Sequence, residues 1–265
     1  MVRRLVIACA FLTAGAFVSK AQITTEDLEN EIGARVSVTA DKKIVKGFHW
    51  NVEGEARMSD NFSDFGRYQF GTGLTWKATQ WLKLGAGYIF IEDKNSSGEW
   101  KPRHRAYGDV TFSYKTGPWR FAIKERGQFT HRDVSNPFQK TPNQITLKSR
   151  FKVSYKASQK LEPYGYVEIR NVFNDPACSA TWSATGKKFT DYEFLGYTDT
   201  YINRYRGAVG VEWTVNRHSA FDFFVMGDYC YDKNIDTNKE GTKLKSISYS
   251  PAIKAHIGIG YTFNF

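Results

Sequence analysis

The chain has little cysteine, methionine or proline: three, three and seven residues among 265. Cysteine this sparse, with no CxxC or zinc-like spacing, excludes a disulfide-dense scaffold and a cysteine metal site. Seven prolines beside an aromatic content of 16% exclude disorder, because disordered chains are poor in Phe, Tyr and Trp. No segment after the first residues is apolar over the roughly 20 positions that a spanning helix needs. No HxxxH pair, no acidic calcium loop and no phosphate-cradling glycine loop occurs, so neither a metal nor a cofactor is expected. Lys and Arg exceed Asp and Glu, 37 to 27, yet they alternate with apolar residues instead of running together. No nucleic-acid partner is therefore expected.

What is present starts with an export signal. Arg3 and Arg4 open a basic start, Leu5 to Val18 form an apolar stretch, and Ser19-Lys20-Ala21 is a small-x-small cleavage site before Gln22. Residues 1–21 are expected to be cleaved and residues 22–265 to form the mature domain. Val6-Ile7-Ala8-Cys9 has the look of a lipoprotein box, but most of the apolar stretch follows that cysteine rather than preceding it. After cleavage 34 basic and 27 acidic residues remain, with Cys178 and Cys230 as the two thiols.

From Ile32 onward apolar and polar residues alternate in long blocks, which is the period of a strand. In the last block Ile253, Ala255, Ile257, Ile259, Tyr261, Phe263 and Phe265 share one face, opposite Lys254, His256, Thr262 and Asn264. Eleven such blocks occur, the first a short one at 32–41. They are about twice the ordinary globular strand of roughly 5 to 6 residues and match the ~9 to 11 that a tilted strand needs to cross a bilayer. Short turns near 78–80, 116–118, 157–160 and 216–218 alternate with long polar loops at 93–102, 133–143, 175–199 and 233–251. Trp76, Trp81, Tyr114, Trp119, Trp213 and Phe221 flank the short turns, where the interfacial girdle of an outer-membrane barrel belongs. A soluble sandwich or lipocalin-like barrel carries the same period but usually has shorter strands. The expected fold is an all-β, closed antiparallel transmembrane β-barrel. Single-chain bacterial barrels have even strand counts, so twelve strands are expected, or ten if 32–41 lies outside the wall.

The segment Trp100 to Arg132 carries Arg103-His104-Arg105, Asp109, the turn Lys115 to Trp119, and Lys124-Glu125-Arg126 through Gln128 to His131-Arg132. Together with the strand Leu82 to Tyr88 it resembles an uncharacterised outer-membrane barrel family, the domain of unknown function number 2490. The resemblance covers most of the mature chain and implies a porin-like barrel, with no reaction attached. Phe265 after an alternating strand also looks like the sorting signal that the barrel-assembly machinery reads. That machinery and outer-membrane lipids are the expected partners, in the outer membrane of a Gram-negative cell.

Closure turns the polar faces inward. Alternation then assigns Arg103, Arg105, Arg120, Lys124, Arg126, Lys148, Arg150 and Lys152 to one basic arc with Asp109. The next strands add Arg170, Arg204 and Arg206 beside Glu168 and Glu212. Asp222, Asp228, Glu53 and Glu55 make the other side acidic, and a basic wall facing an acidic one would set ion selectivity. A narrow pore and a salt-bridge network that plugs the barrel both remain open at this strand number.

Glu125 breaks the pattern by falling in register with Trp119, Phe121, Ile123 and Phe129, and a β-bulge that re-aims it inward is expected. Five histidines are present. His49 and His256 point inward and His218 sits in a turn. His104 and His131 fall on the apolar face, opposite each other across a hairpin. Some outer-membrane barrels are lipid hydrolases with an outward Ser and His, and Ser149 is the local nucleophile candidate, about three residues lower than His131. Export makes a disulfide between Cys178 and Cys230 permissible, with both thiols expected at the outer rim. The function expected is a narrow passive pore for small, anionic solutes. An outer-membrane lipid hydrolase and a structural or adhesive barrel are the alternatives.

Overall fold

Each long alternating segment is apolar on one face only, so its lowest-energy arrangement is a sheet that separates the two faces everywhere. The computed structural model describes residues 24–95 and 97–265. The expected export signal at 1–21 lies outside the described residues. A two-residue β1 (Thr24–Thr25) precedes β2 (Glu29–Val45), β3 (Phe48–Ser59), β4 (Asp64–Lys77), β5 (Leu82–Lys94), β6 (Trp100–Thr116) and β7 (Trp119–Arg132). β8 (Asn143–Tyr155) and β9 (Leu161–Asp175) follow, then a small hairpin of β10 (Cys178–Ser183) and β11 (Lys188–Phe194). β12 (Asp199–Thr214), β13 (Ser219–Thr237) and β14 (Leu244–Asn264) complete the chain.

Each wall strand pairs antiparallel with the next, β9 passing directly to β12, and β14 returns to β2. That last pairing is parallel, with Ala255 opposite Ile32 and Gly260 opposite Ser37. Among the described residues the wall is a closed barrel of eleven strands, not twelve or ten, and it is mixed rather than wholly antiparallel. In an up-and-down meander an odd strand number leaves the first and last strands pointing the same way. Their N–H and C=O groups can then meet only in the slanted parallel pattern. β1 continues the seam by pairing parallel with Ser248 and Tyr249, and Glu26 beside it accepts hydrogen bonds from the Ser248 and Ser250 hydroxyls.

Short turns gather at one end, where Gly47 (φ 83°) and Gly117 (φ 55°) supply the left-handed backbone that two of them require. The other end carries the longer connections, and these are more ordered than the sequence suggested. Most of 233–251 is strand, since β13 runs to Thr237 and β14 starts at Leu244, and the first wall strand has 17 residues rather than ten. The 175–199 loop holds the β10–β11 hairpin. This hairpin folds onto the outward face of β13 and β14, where Ile235, Leu244 and Ile247 are buried under Cys178, Ala180, Phe189 and Tyr192. Phe138 meets Phe194 edge-on at 5.2 Å and Tyr197 donates to the Pro137 carbonyl at 3.0 Å, which ties two of the long loops together.

The partition of residues is the reverse of that in a water-soluble domain. Phe70, Val167 and Val209 point outward and are 63%, 60% and 64% exposed, whereas Asp109, Glu168 and Asp228 point inward and are buried. At the short-turn end a ring of aromatic pairs surrounds the outer wall. Trp76 stacks on Phe48 at 5.6 Å, Trp81 on Phe112 at 6.0 Å and Trp213 on Phe221 at 6.0 Å, and Trp119 leans on Tyr155 at 4.8 Å.

Candidate functional site

The inward faces enclose a cavity of about 350 Å³ at mid-barrel. Small residues in the wall make room for aromatic rings on the inward face. A Cβ at Gly87 would lie 2.5 Å from the Tyr107 hydroxyl and one at Gly73, its cross-strand partner, 2.4 Å from the same atom. The tyrosine therefore lies across two glycines, and the Arg126 guanidinium stacks on its ring at 4.0 Å. Arg150 over Tyr166 at 4.1 Å and Lys152 over Tyr164 at 3.9 Å repeat the arrangement on β8 and β9. Such cation–π contacts fix the direction of long side chains that would otherwise sweep the lumen.

Eight cationic side chains and three carboxylates line the cavity. Arg105, Arg126, Lys148, Arg150 and Lys152 come from the arc anticipated by alternation, and Arg206 from the strands expected beside it. Arg35 of β2 and Arg57 of β3 complete the cationic lining from the far side. These two were not among the anticipated site residues, although both sit on the alternating polar face of their strands. They also change the electrostatics. The expected basic wall facing an acidic wall is not what forms, because cations stand on every side of the cavity.

Carboxylates are paired with cations on their own strand or one or two strands away rather than across the lumen. Asp109 accepts from Arg126 at 2.5 Å and lies 3.2 Å from Lys124, and Arg103 reaches Asp93 at 2.7 Å. Arg120 meets Glu162 at 3.2 Å, and Lys152 meets Glu212 at 2.6 Å. Glu55 is held by Arg57, and Asp222 accepts from the Tyr164 hydroxyl at 2.9 Å. One row is continuous. Arg150, Glu168, Arg206, Asp228, Lys254 and Glu31 stand directly opposite one another across six strands, alternating in sign. Arg150–Glu168 at 2.6 Å, Arg206–Asp228 at 2.6 Å and the Lys254–Glu31 pair lie along it. Arg204 adds a contact to Asp228 at 3.5 Å. Glu53 lines the cavity with no ion pair among the described residues.

The family described as protein of unknown function (DUF2490) matches residues 36–239, most of the chain. The chain belongs to the DUF2490 family. No curated protein sequence matches it. The DUF2490 match runs from within β2 to just past the end of β13 and so takes in nearly all the cavity-lining residues, with Arg35 just before its first residue.

On the outer face of this DUF2490 barrel the anticipated hydrolase residues do not come together. His104 and His131 are cross-strand partners, as expected. His104 Nδ1 shares a hydrogen bond with the Tyr88 hydroxyl at 2.5 Å, and His131 Nδ1 one with Asn143 Oδ1 at 2.8 Å. His131 is in register with Asn143, which puts Ser149 six residues lower on β8, roughly 20 Å at a strand rise of about 3.3 Å. The expected offset of three residues is corrected accordingly. The Ser149 hydroxyl donates instead to Glu125 at 2.6 Å. Glu125 has not been re-aimed by a bulge: its register with Val110 and Ser149 is unbroken, so it stays on the outward face, and Ser149 supplies the hydrogen bond that a bulge would have made unnecessary.

The two thiols are free, and the expected Cys178–Cys230 bond is not formed. Cys230 lies on the inward face of β13 between Arg204 and Ala252, and is 2% exposed. Cys178 covers Ile235 on the outward face of the same strand. The wall itself stands between them. Burial pushes the Cys178 thiol above its ordinary pKa. In the 133–142 loop, burial holds the Lys140 ammonium below its ordinary range, with Arg132 and Arg103 adding to the effect.

Proposed function

We propose that this DUF2490 protein is an outer-membrane barrel whose lumen is a narrow path for small anions. The observation that carries the reading is the excess of cations in the cavity lining, eight against three carboxylates. Rings of fixed charge set the sign of the ions that enter a confined, water-filled space. The outward apolar band and the aromatic ring at the short-turn end support a bilayer as the surroundings, because in water such a surface would drive aggregation. On this reading residues 1–21 direct export and are removed, lipids cover the outer wall, and the assembly machinery recognises the strand that ends at Phe265. No observation favours a hydrolase, since Ser149 is bonded to Glu125 and distant from both outward histidines.

Swelling of proteoliposomes in isotonic solutes tests the proposal. Vesicles holding the refolded protein should swell faster in small carboxylate or phosphate salts than in neutral sugars of the same size. Equal rates, or rates no different from protein-free vesicles, would overturn it.

A further inference from the structure

We propose that the upper part of the cavity is a binding site for an oxyanion of the phosphate class carrying two negative charges. The proposal rests on the reading of the lumen as an anion path and gives that path its ligand. It starts from a fault in charge pairing. One rung nearer the long-loop end than the row of alternating sign, Arg126, Lys148, Arg170 and Arg204 stand directly opposite one another on β7, β8, β9 and β12. Like charges in direct cross-strand register are destabilising, and four in succession need a reason.

The ends of this ladder each reach a carboxylate, Arg126 reaching Asp109 at 2.5 Å and Arg204 reaching Asp228 at 3.5 Å. Its middle does not. Arg170 donates Nε to the neutral amide oxygen of Asn203 at 2.7 Å. Below Lys148 on the same strand, Arg150 and Lys152 hold Glu168 and Glu212, while Lys148 makes no ion pair or hydrogen bond among the described residues. Arg105, nearer the long-loop end on β6, donates Nε to the Thr130 hydroxyl at 2.9 Å and has no carboxylate partner among the described residues.

A separate observation comes from the opposite side. Arg35 of β2 is 6% exposed and lines the same cavity, yet its Nε has no hydrogen-bond partner among the described residues. The carboxylate near it, Asp228 at 3.7 Å, is shared with Arg206 and Arg204. A buried donor without a partner costs free energy that a ligand oxygen recovers. Arg105, Lys148 and Arg35 thus present unused donors to one enclosed space.

The chemistry of those donors selects the ligand. Guanidinium groups offer a planar fork of N–H donors that fits the paired oxygens of a phosphate or phosphomonoester, and a halide presents no such pair. Of the eight cations that line the cavity, Arg105 and Lys148 are the two with no carboxylate partner among the described residues, which matches a dianion better than a monoanion. Glu53 faces the same space and opposes an anion, but the balance of the lining remains positive. A cavity of about 350 Å³ lies at the small end of ordinary ligand sites.

Binding measured on the refolded full-length protein in detergent tests the site without requiring conduction. Inorganic phosphate, glycerol phosphate and chloride are titrated by calorimetry at equal ionic strength, on the wild type, on Lys148→Gln with Arg105→Gln, and on Lys148→Arg. At least one phosphate species should bind tenfold or more tightly than chloride. Binding of inorganic phosphate would identify the free ion as a ligand, and binding of glycerol phosphate alone a phosphorylated solute. The double variant should lose more than tenfold in that affinity while unfolding at a higher temperature without phosphate, because repulsion in the ladder has been relieved. Lys148→Arg, which keeps the charge, should retain the preference. Equal affinities for phosphate and chloride, or unchanged phosphate affinity in the double variant, would overturn the site. Phosphate binding by a protein that admits no anions into vesicles would keep the site and reject the path, and the converse result would separate them the other way.

Discussion

Asp228 lies directly across from Arg206 in the β12–β13 register, and the two share hydrogen bonds of 2.6 and 2.8 Å. Their side chains are 1% and 8% exposed, and Arg35 and Arg204 also approach the same carboxylate. Asp228→Asn leaves three guanidinium groups around a neutral amide. Removing one partner of a buried pair costs about 3 to 5 kcal/mol, so urea unfolding in lipid vesicles should show a loss of that order. Glu212→Gln removes the partner of Lys152 in a pair that is 44% and 30% exposed, and should cost less than about 1 kcal/mol. Similar losses for the two would mean that the alternating row contributes no more than solvated charge pairs do.

The parallel seam has a topological consequence. It places the start of β2 at the long-loop end and the end of β14 at the short-turn end. In an oriented membrane a cysteine at Asp27 should react with an impermeant thiol reagent from the same side as one at Lys187, and one at Lys160 only from the opposite side. Asp27→Cys reacting together with Lys160→Cys would require an even-stranded wall.

Glu125 and Ser149 make a prediction about the outward face on the proposed reading that lipid covers it. Ser149→Ala takes away the hydrogen bond to an outward carboxylate and should destabilise the barrel in bilayers, by about 1 to 3 kcal/mol for a charged group left unsatisfied. The pair Glu125→Leu with Ser149→Ala should regain that loss, since an apolar side chain suits lipid better than a carboxylate. A double variant no more stable than Ser149→Ala would mean that Glu125 contributes contacts of its own. Ser149 should also stay unlabelled by serine-directed phosphonate probes.

How much of this was legible in the sequence depends on whether the signal was local. The alternation of Ile253, Ile257 and Ile259 against Lys254 and His256 is local, and it located all eleven wall strands. Their closure was not. Nothing near Ile32 or Ala255 announces that these residues pair in parallel, and a parity rule drawn from other barrels replaced a correct count of eleven with twelve. Sidedness was likewise legible for Arg105, Arg126 and Lys148, which line the cavity. Whether Glu168 is neutralised by Arg150 beside it or by a residue across the lumen depends on register, which alternation does not carry. Arg35 was passed over because its strand looked short and weak, although it occupies the same polar face as Ser37. The hairpin that puts Cys178 outside the wall lay in a stretch with no long alternating block.

The cysteines follow from that hairpin. Denatured without reductant, the protein should take up a thiol reagent at both Cys178 and Cys230. In the folded state Cys178 should react slowly, its thiol held protonated by burial, and Cys230 not at all. Absence of labelling after denaturation would mean that the two are joined.

The most direct test of the lumen as an anion path is the reversal potential of single channels in a planar bilayer under a potassium chloride gradient. The wild type should reverse on the chloride side of zero, and Arg105→Ser with Arg126→Ser and Arg150→Ser should move the potential toward zero by removing three fixed charges from the cavity. A sealed bilayer, a potassium-selective wild type, or a triple variant with an unchanged reversal potential would contradict the account.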